Sequence, residues 1–260
     1  MGRMKKRGDM RIVSLAPSVT SILLSLGVGR ELVGVSRWCK DVADVGARPA
    51  VGDCWKMDLR EVMRLRPTIL IGSVPFAVET VQKILAEAVA FLAINPRSLA
   101  DIFGDIRTLG RLVERGRAAD RLIRKMRAGF ADVARAARRL AAARRVRVYC
   151  EAWPKPRISS PPWVAELVEI AGGKMVVSAG ERVTDEEVAR AAPDLIVLAW
   201  AATGGRAKVS TALRNPAWRE VPAVRSGRVV VIRDELLNTP GPPLLQGARE
   251  LARAIRESAC

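Results

Sequence analysis

The chain has 260 residues, 49% of them hydrophobic, which is enough for one large domain or two small ones with a real core and excludes a disordered chain. Its formal charge is +17, carried mostly by arginines that are spread along the sequence, so it reads as a solvated basic surface, with nucleic-acid binding the poorer alternative. Histidine is absent, which removes the commonest metal ligand and the commonest general base at neutral pH.

The opening MGRMKKRGDM is basic, but no signal-type apolar segment with a small-residue cleavage site follows it. As written, the sequence implies a cytoplasmic protein; a leader outside it would imply an extracytoplasmic one. No run approaches the roughly 18 apolar residues of a membrane span. Residues 11–15 form an apolar strand ending at Ala16-Pro17-Ser18, and the helix after it, 19–26, stops at Gly27 as a left-handed cap. A second strand, 31–36, ends at Arg37-Trp38-Cys39 and leads into a turn-rich passage with Gly46, Pro49, Gly52 and Asp53. DLREVMRLRPTILI, from Asp58, then reads as a short helix opened by a capping box to Glu61 and ended by Pro67. Its apolar strand, 68–71, ends at Gly72-Ser73, and a helix over 76–87 and a buried strand over 89–94 complete the alternation expected of a parallel sheet with helices on its faces.

No strand pattern occurs over 98–143. Ala118, Leu122, Met126, Phe130, Ala134, Ala137 and Ala141 make one apolar stripe, predicting a helix over 117–143 about 40 Å long. That helix is either a rigid strut between two lobes or an ordinary helix packed inside one. Strands resume at 147–151, ending at Ala152-Trp153-Pro154, followed by a helix over 163–171 closed by Gly172-Gly173. TDEEVARAAPDLIV, from Thr184, nearly copies the earlier unit, with Glu187, Val188, Arg190 and Pro193 matching Glu61, Val62, Arg64 and Pro67. Its strand, 195–199, ends at Trp200. A strand at 229–232, the turn Asn238-Thr239-Pro240-Gly241-Pro242 and a terminal helix through Ile255 close the chain. The duplication predicts an N-terminal α/β lobe over 1–97, a connecting helical segment over 98–144 and a C-terminal α/β lobe over 145–260, with a ligand kept between the lobes.

Six tryptophans stand against four phenylalanines and one tyrosine. Trp38, Trp153 and Trp200 lie just past predicted strand ends, and Trp55 and Trp163 in loops of matching position. Ligands of open α/β sheets sit at the carboxyl ends of strands, so these indoles suggest apolar walls for a large, flat ligand. Taken singly, each reads as well as a cover for a loop core, and Trp218, in NPAW, is assigned to packing. Catalysis finds little support: without histidine a nucleophile needs a lysine or carboxylate base, and Gly204-Gly205 lacks the spacing of a phosphate loop. Glu151 and Asp53 read as structural or ligand-orienting acids. Cys39, Cys54, Cys150 and Cys260 form no CxxC pair and so no zinc site; Cys39 and Cys54 either pair in an oxidising compartment or stay free thiols.

RIVSLAPSVTSILLSLG, LVGVSRWC, VGD and the helix–proline–strand unit resemble the cobalamin-binding substrate-binding proteins of ABC importers. That group is part of a wider one that also binds haem, ferric siderophores and, in a related branch, zinc or manganese. EAWPKPRISSPPWVAELVEIAGG and LLNTPGPPLLQGARELA look like its second-lobe and C-terminal signatures, so the likeness runs from about Arg11 to the C-terminus. The resemblance implies two Rossmann-like α/β lobes with parallel sheets, one long backbone helix, a ligand cleft between lobes, modest hinge closure and no catalytic residue or cofactor. Carried over by position, the ligand-lining residues are Pro17, Ser18, Trp38, Cys39, Trp55 and Ser73 from the first lobe and Trp153, Trp163, Trp200 and Asn238 from the second. The resemblance also implies docking to an ABC permease through surface acids, with Glu79 the first-lobe candidate, and a monomer carrying a small molecule. Lys40-Asp41-Val42 replace the family's proline-containing loop, and without histidine cobalamin would be held base-on. Two alternatives stay open: a haem or ferric-siderophore carrier with Arg37, Arg157 and Arg206 facing an anionic ligand, and a cytoplasmic enzyme of corrinoid or tetrapyrrole metabolism.

Overall fold

The computed structural model describes residues 10–53, 57–139 and 145–259. Cys54, Trp55, Ala141 and Cys260 therefore lie outside the described residues. The chain divides into two compact units, the first ending at Pro96 and taking in Ile102–Ile123, the second comprising Arg97–Asp101 and the described chain from Arg124 on.

The first unit alternates β1 (Ile12–Ser14), α1 (Pro17–Ser25), β2 (Leu32–Ser36), β3 (Ala50–Val51), α2 (Leu59–Arg64), β4 (Ile69–Ser73), α3 (Val78–Leu85) and β5 (Ala90–Ile94). All pairings are parallel, in the order β3-β2-β1-β4-β5. The chain thus winds outward from β1 to β3, then crosses back through α2 to lay β4 on the other side of β1. That reversal makes the carboxyl ends of β1 and β4 the switch point of the sheet, where the following loops diverge. Val13, Leu15, Val51, Val62, Leu70 and Ile84 form the core beneath it. The last strand, expected to be buried, is an edge strand: only β4 pairs it, and Ala90 and Ala93 face solvent.

The helical segment comprises α4 (Leu99–Leu112) and α5 (Gly116–Arg139). α4 and α5 touch closely at Gly110, where a Cβ would come within 2.5 Å of the Ala119 Cβ. The buried column of α5 is Ala119, Ile123, Met126, Phe130 and Val133, which shares only Met126 and Phe130 with the predicted stripe. Successive spacings of four drift about 40° per step around the helix, so the predicted run from Ala118 to Ala134 turns away from the core at both ends, whereas alternating spacings of four and three follow the 3.6-residue period. Among the described residues no helix is long and apolar enough to cross a membrane.

The second unit contains β6 (Arg147–Pro154), β7 (Arg157–Ser159), α6 (Pro162–Ile170), β8 (Lys174–Met175), α7 (Asp185–Ala191), β9 (Leu195–Leu198), α8 (Val209–Leu213), α9 (Pro222–Arg225), β10 (Val229–Val231), α10 (Asp234–Leu237) and α11 (Leu244–Ala259). Its sheet runs β10-β9-β6-β7, with β8 also on β6; every pairing is parallel except β7, which folds back on β6. β6 is three residues longer than predicted because Pro154, which read as a strand end, instead belongs to this edge hairpin.

The two sequence copies are α2 and α7 with their strands. Each turns its corner through a non-glycine residue at positive φ just before the proline, Arg66 at 47° and Ala192 at 41°. The capping box closes only in the second, where Thr184 and Glu187 exchange bonds of 3.1 and 2.7 Å. In the first, Asp58 accepts from the Arg60 amide alone. Two carboxylates, Asp58 and Glu61, repel at one helix end where a neutral threonine and a glutamate do not.

Candidate functional site

At the carboxyl edge of the first sheet, α1 starts immediately after β1. Ala16 is its N-cap without a side-chain bond, Pro17 takes the first helical position, which needs no N–H, and Ser18 follows. Ser18 is buried and its Oγ has no partner. Across the switch point Ser73 ends β4, half-buried. Two residues beyond β2, Trp38 keeps 38% of its surface exposed, while its Nε1 donates to Asp53 Oδ2 at 3.0 Å. Asp53 is buried just past β3, and Arg37 Nε lies 3.4 Å from the same oxygen. The acid thus fixes the edge of the indole, whose ring is partly exposed with the Arg37 guanidinium 6.0 Å from its centroid. Cys39 faces inward: its Sγ lies 3.0 Å from Thr20 Oγ1 and 3.2 Å from Ser36 Oγ. It is a free thiol, and burial raises its pKa although the bonds from Ser36 and Thr20 work the other way.

In the second unit Trp153 sits within β6 rather than past its end, 41% exposed, with Nε1 donating 2.9 Å to the Lys155 carbonyl. Trp163, expected on a loop, opens α6 and is 7% exposed, its Nε1 bonded to the Leu237 carbonyl at 2.8 Å. Trp200 lies two residues past β9, 9% exposed, and donates 2.8 Å to Glu151 Oε1. Asn238 caps α10 and donates to the Ala199 carbonyl at 2.8 Å, while its Oδ1 is buried without a partner. All four described candidate indoles donate their N–H internally; Trp38 and Trp153 keep surface exposed, whereas Trp163 and Trp200 are buried.

Glu151 is the residue whose role the sequence left open. It is fully buried and accepts from Tyr149 Oη at 2.9 Å, from Trp200 Nε1 and from Arg157 Nη1. Arg157 also pairs with Asp185 at 2.8 Å and lies 4.2 Å over the Trp218 ring, which packs edge-on against Tyr149 in the core. Burial opposes the guanidinium charge, but Glu151, Tyr149 and Asp185 together outweigh it and the pKa of Arg157 rises. Burial and the Glu151 charge push the Tyr149 phenol far above its usual range. Arg157 is therefore committed to the fold, and Arg206 turns its Nε to the Thr203 carbonyl at 3.0 Å. Tyr149 and Glu151, two apart on β6, share a face, and that alternation was the available signal. Glu79 is exposed on the first turn of α3, beside the exposed Val78. No group of side chains suited to a metal ion occurs among the described residues.

Residues 12–236 match the family described as periplasmic binding protein. The chain belongs to the periplasmic binding protein family. It is 25% identical to the ABC transporter substrate-binding lipoprotein YvrC of Bacillus subtilis, over 96% of this chain and 81% of that one. It is 21% identical to a vitamin B12-binding protein of Pectobacterium atrosepticum, over 95% of this chain and 88% of that one. Among solved structures, the periplasmic heme-binding protein RhuT of Roseiflexus superposes with a TM-score of 0.83 at 24% identity, covering 96% and 99% of the two chains. Periplasmic binding proteins of this type are non-enzymatic substrate-binding proteins that take up small ligands and deliver them to an ABC permease. The enzyme alternative is thereby set aside, and the two-lobed α/β architecture is the fold of this periplasmic binding protein.

Proposed function

We propose that this periplasmic binding protein carries a corrinoid, cobalamin, for ABC-type uptake. The observation that favours a corrinoid over haem is the supply of axial ligands. Haem iron is held by histidine, tyrosine, cysteine thiolate or methionine paired with histidine. This chain has no histidine, and among the described residues its one tyrosine is buried on Glu151 and Cys39 and Cys150 are buried thiols. A base-on cobalamin brings its own lower ligand and needs only stacking surface and hydrogen bonds. Relatives named vitamin B12-binding and cobalamin-binding protein, in Pectobacterium and Halobacterium, align along 95% of the chain and support the same reading.

In this proposal Trp38, Trp153 and Trp55 are the stacking residues for the corrin, and Trp163 and Trp200 brace the loops of the second unit. Pro17, Ser18, Ser73 and Asn238 meet the polar rim, Cys39 supports the Trp38 turn from inside, and Glu79 contacts the permease of a monomeric carrier. The test is parallel titration with cobalamin and haemin, followed by tryptophan fluorescence corrected for absorbance. Saturable quenching at micromolar cobalamin, with haemin at least tenfold weaker, supports the corrinoid. Tight haemin binding with no response to cobalamin overturns it in favour of the haem reading, toward which the RhuT fold likeness points.

A further inference from the structure

The outer face of α5 has a charge pattern that ligand binding does not use. Around a helix at 100° per residue, the buried column from Ala119 to Val133 defines one side. Opposite it lie Arg117, Arg121, Arg124 and Arg135, with Lys125 and Arg138 on the shoulders, all exposed. Exposed Ala128 and Ala131 fill the middle of the row, and the helix's acids, Asp120 and Asp132, lie on its two shoulders. The two acids of the helix are engaged, Asp120 with Arg107 at 3.8 Å and Asp132 with Arg135 at 2.7 Å. Arg117, Arg121, Arg124, Lys125 and Arg138 have no ion pair among the described residues. From Arg117 to Arg138 the row is about 32 Å long.

We propose that this face docks on an anionic lipid bilayer. Cations three and four apart on a helix repel one another, a conflict that a counter-charged surface relieves. A plane of headgroup phosphates meets a straight row on a rod along its whole length. A substrate-binding protein, moreover, delivers its cargo at a membrane-embedded permease. The opposite side of α5 is packed inside the protein, so the contact is electrostatic adsorption without insertion. Nucleic acid fits less well, because Phe130, the only aromatic residue of α5, is buried and no ring is offered for base stacking.

The experiment is co-sedimentation of the full chain, without cargo, on vesicles of phosphatidylcholine alone or mixed with an equal part of phosphatidylglycerol. Binding is expected only to the anionic vesicles at about 0.1 M salt and lost near 1 M, where screening shortens to roughly 3 Å. Each basic residue at the surface is worth about fivefold in partitioning, so Arg121→Gln, Arg124→Gln and Lys125→Gln together should weaken it roughly a hundredfold. A control removing the same charge elsewhere, Arg214→Gln, Arg219→Gln and Arg225→Gln, should keep most of the binding. Circular dichroism establishes that both triples fold. Equal loss in the two triples, no preference for anionic vesicles, or tighter binding to duplex DNA than to vesicles would each overturn the assignment.

Discussion

Replacing Trp38 with alanine removes the exposed ring on which the proposed cargo stacks. A tryptophan presents about 200–250 Å² in full, and 38% of Trp38 is exposed. A flat ligand lying on it therefore covers roughly 75–95 Å², worth about 2 kcal/mol at about 25 cal/mol per Å². Trp38→Ala should raise the cobalamin Kd about 30-fold. Asp53 separates stacking from orientation. Asp53→Asn keeps an oxygen acceptor for the indole N–H and should stay within about threefold of the parent, whereas Asp53→Ala frees the ring and costs about 0.5–1.5 kcal/mol in side-chain ordering. Calorimetric titration measures all three, with thermal melts to show that the first unit stays folded. A Trp38→Ala protein that melts like the parent and binds cobalamin within about threefold of it would remove Trp38 from the site.

Glu151→Ala strands the Tyr149 hydroxyl, the Trp200 N–H and half of the Arg157 guanidinium in the interior; urea unfolding should show a loss of about 3–5 kcal/mol, and a loss below about 1 kcal/mol would mean that water takes over these bonds. Thr184→Ala breaks the closed capping box of α7 and should cost about 1 kcal/mol in the same assay, whereas Glu61→Ala, which disrupts no box, should cost less. Burial raises the pKa of both Cys39 and Cys150, so in the native protein at neutral pH both should resist a thiol-alkylating reagent and react only on unfolding, as read by peptide mass spectrometry.

The first unit was legible because its signals are local. Gly27 ends α1 at a φ of 76°, and apolar runs bounded by turns mark β1, β2 and β4. The repeat was also plain in the sequence, and the shared positive-φ corner at Arg66 and Ala192 gives it a structural counterpart. Other features depended on contacts between distant residues. The β6–β7 hairpin is hidden by prolines at its tip. The buried column of α5 keeps alternating spacings of four and three, whereas a row of four-residue spacings among its many alanines drifts off the core side. The position of a tryptophan after a strand says where its backbone lies but not where the ring goes. Trp38 and Trp200 both follow strands and both donate to a buried acid, Asp53 and Glu151, yet one ring stays 38% exposed and the other 9%.

The absorbance spectrum of the protein isolated from its native source is the most direct check on the identity of its cargo. A base-on corrinoid spectrum that survives gel filtration, with no Soret band, is the expected result. A haem spectrum in the purified protein would contradict it.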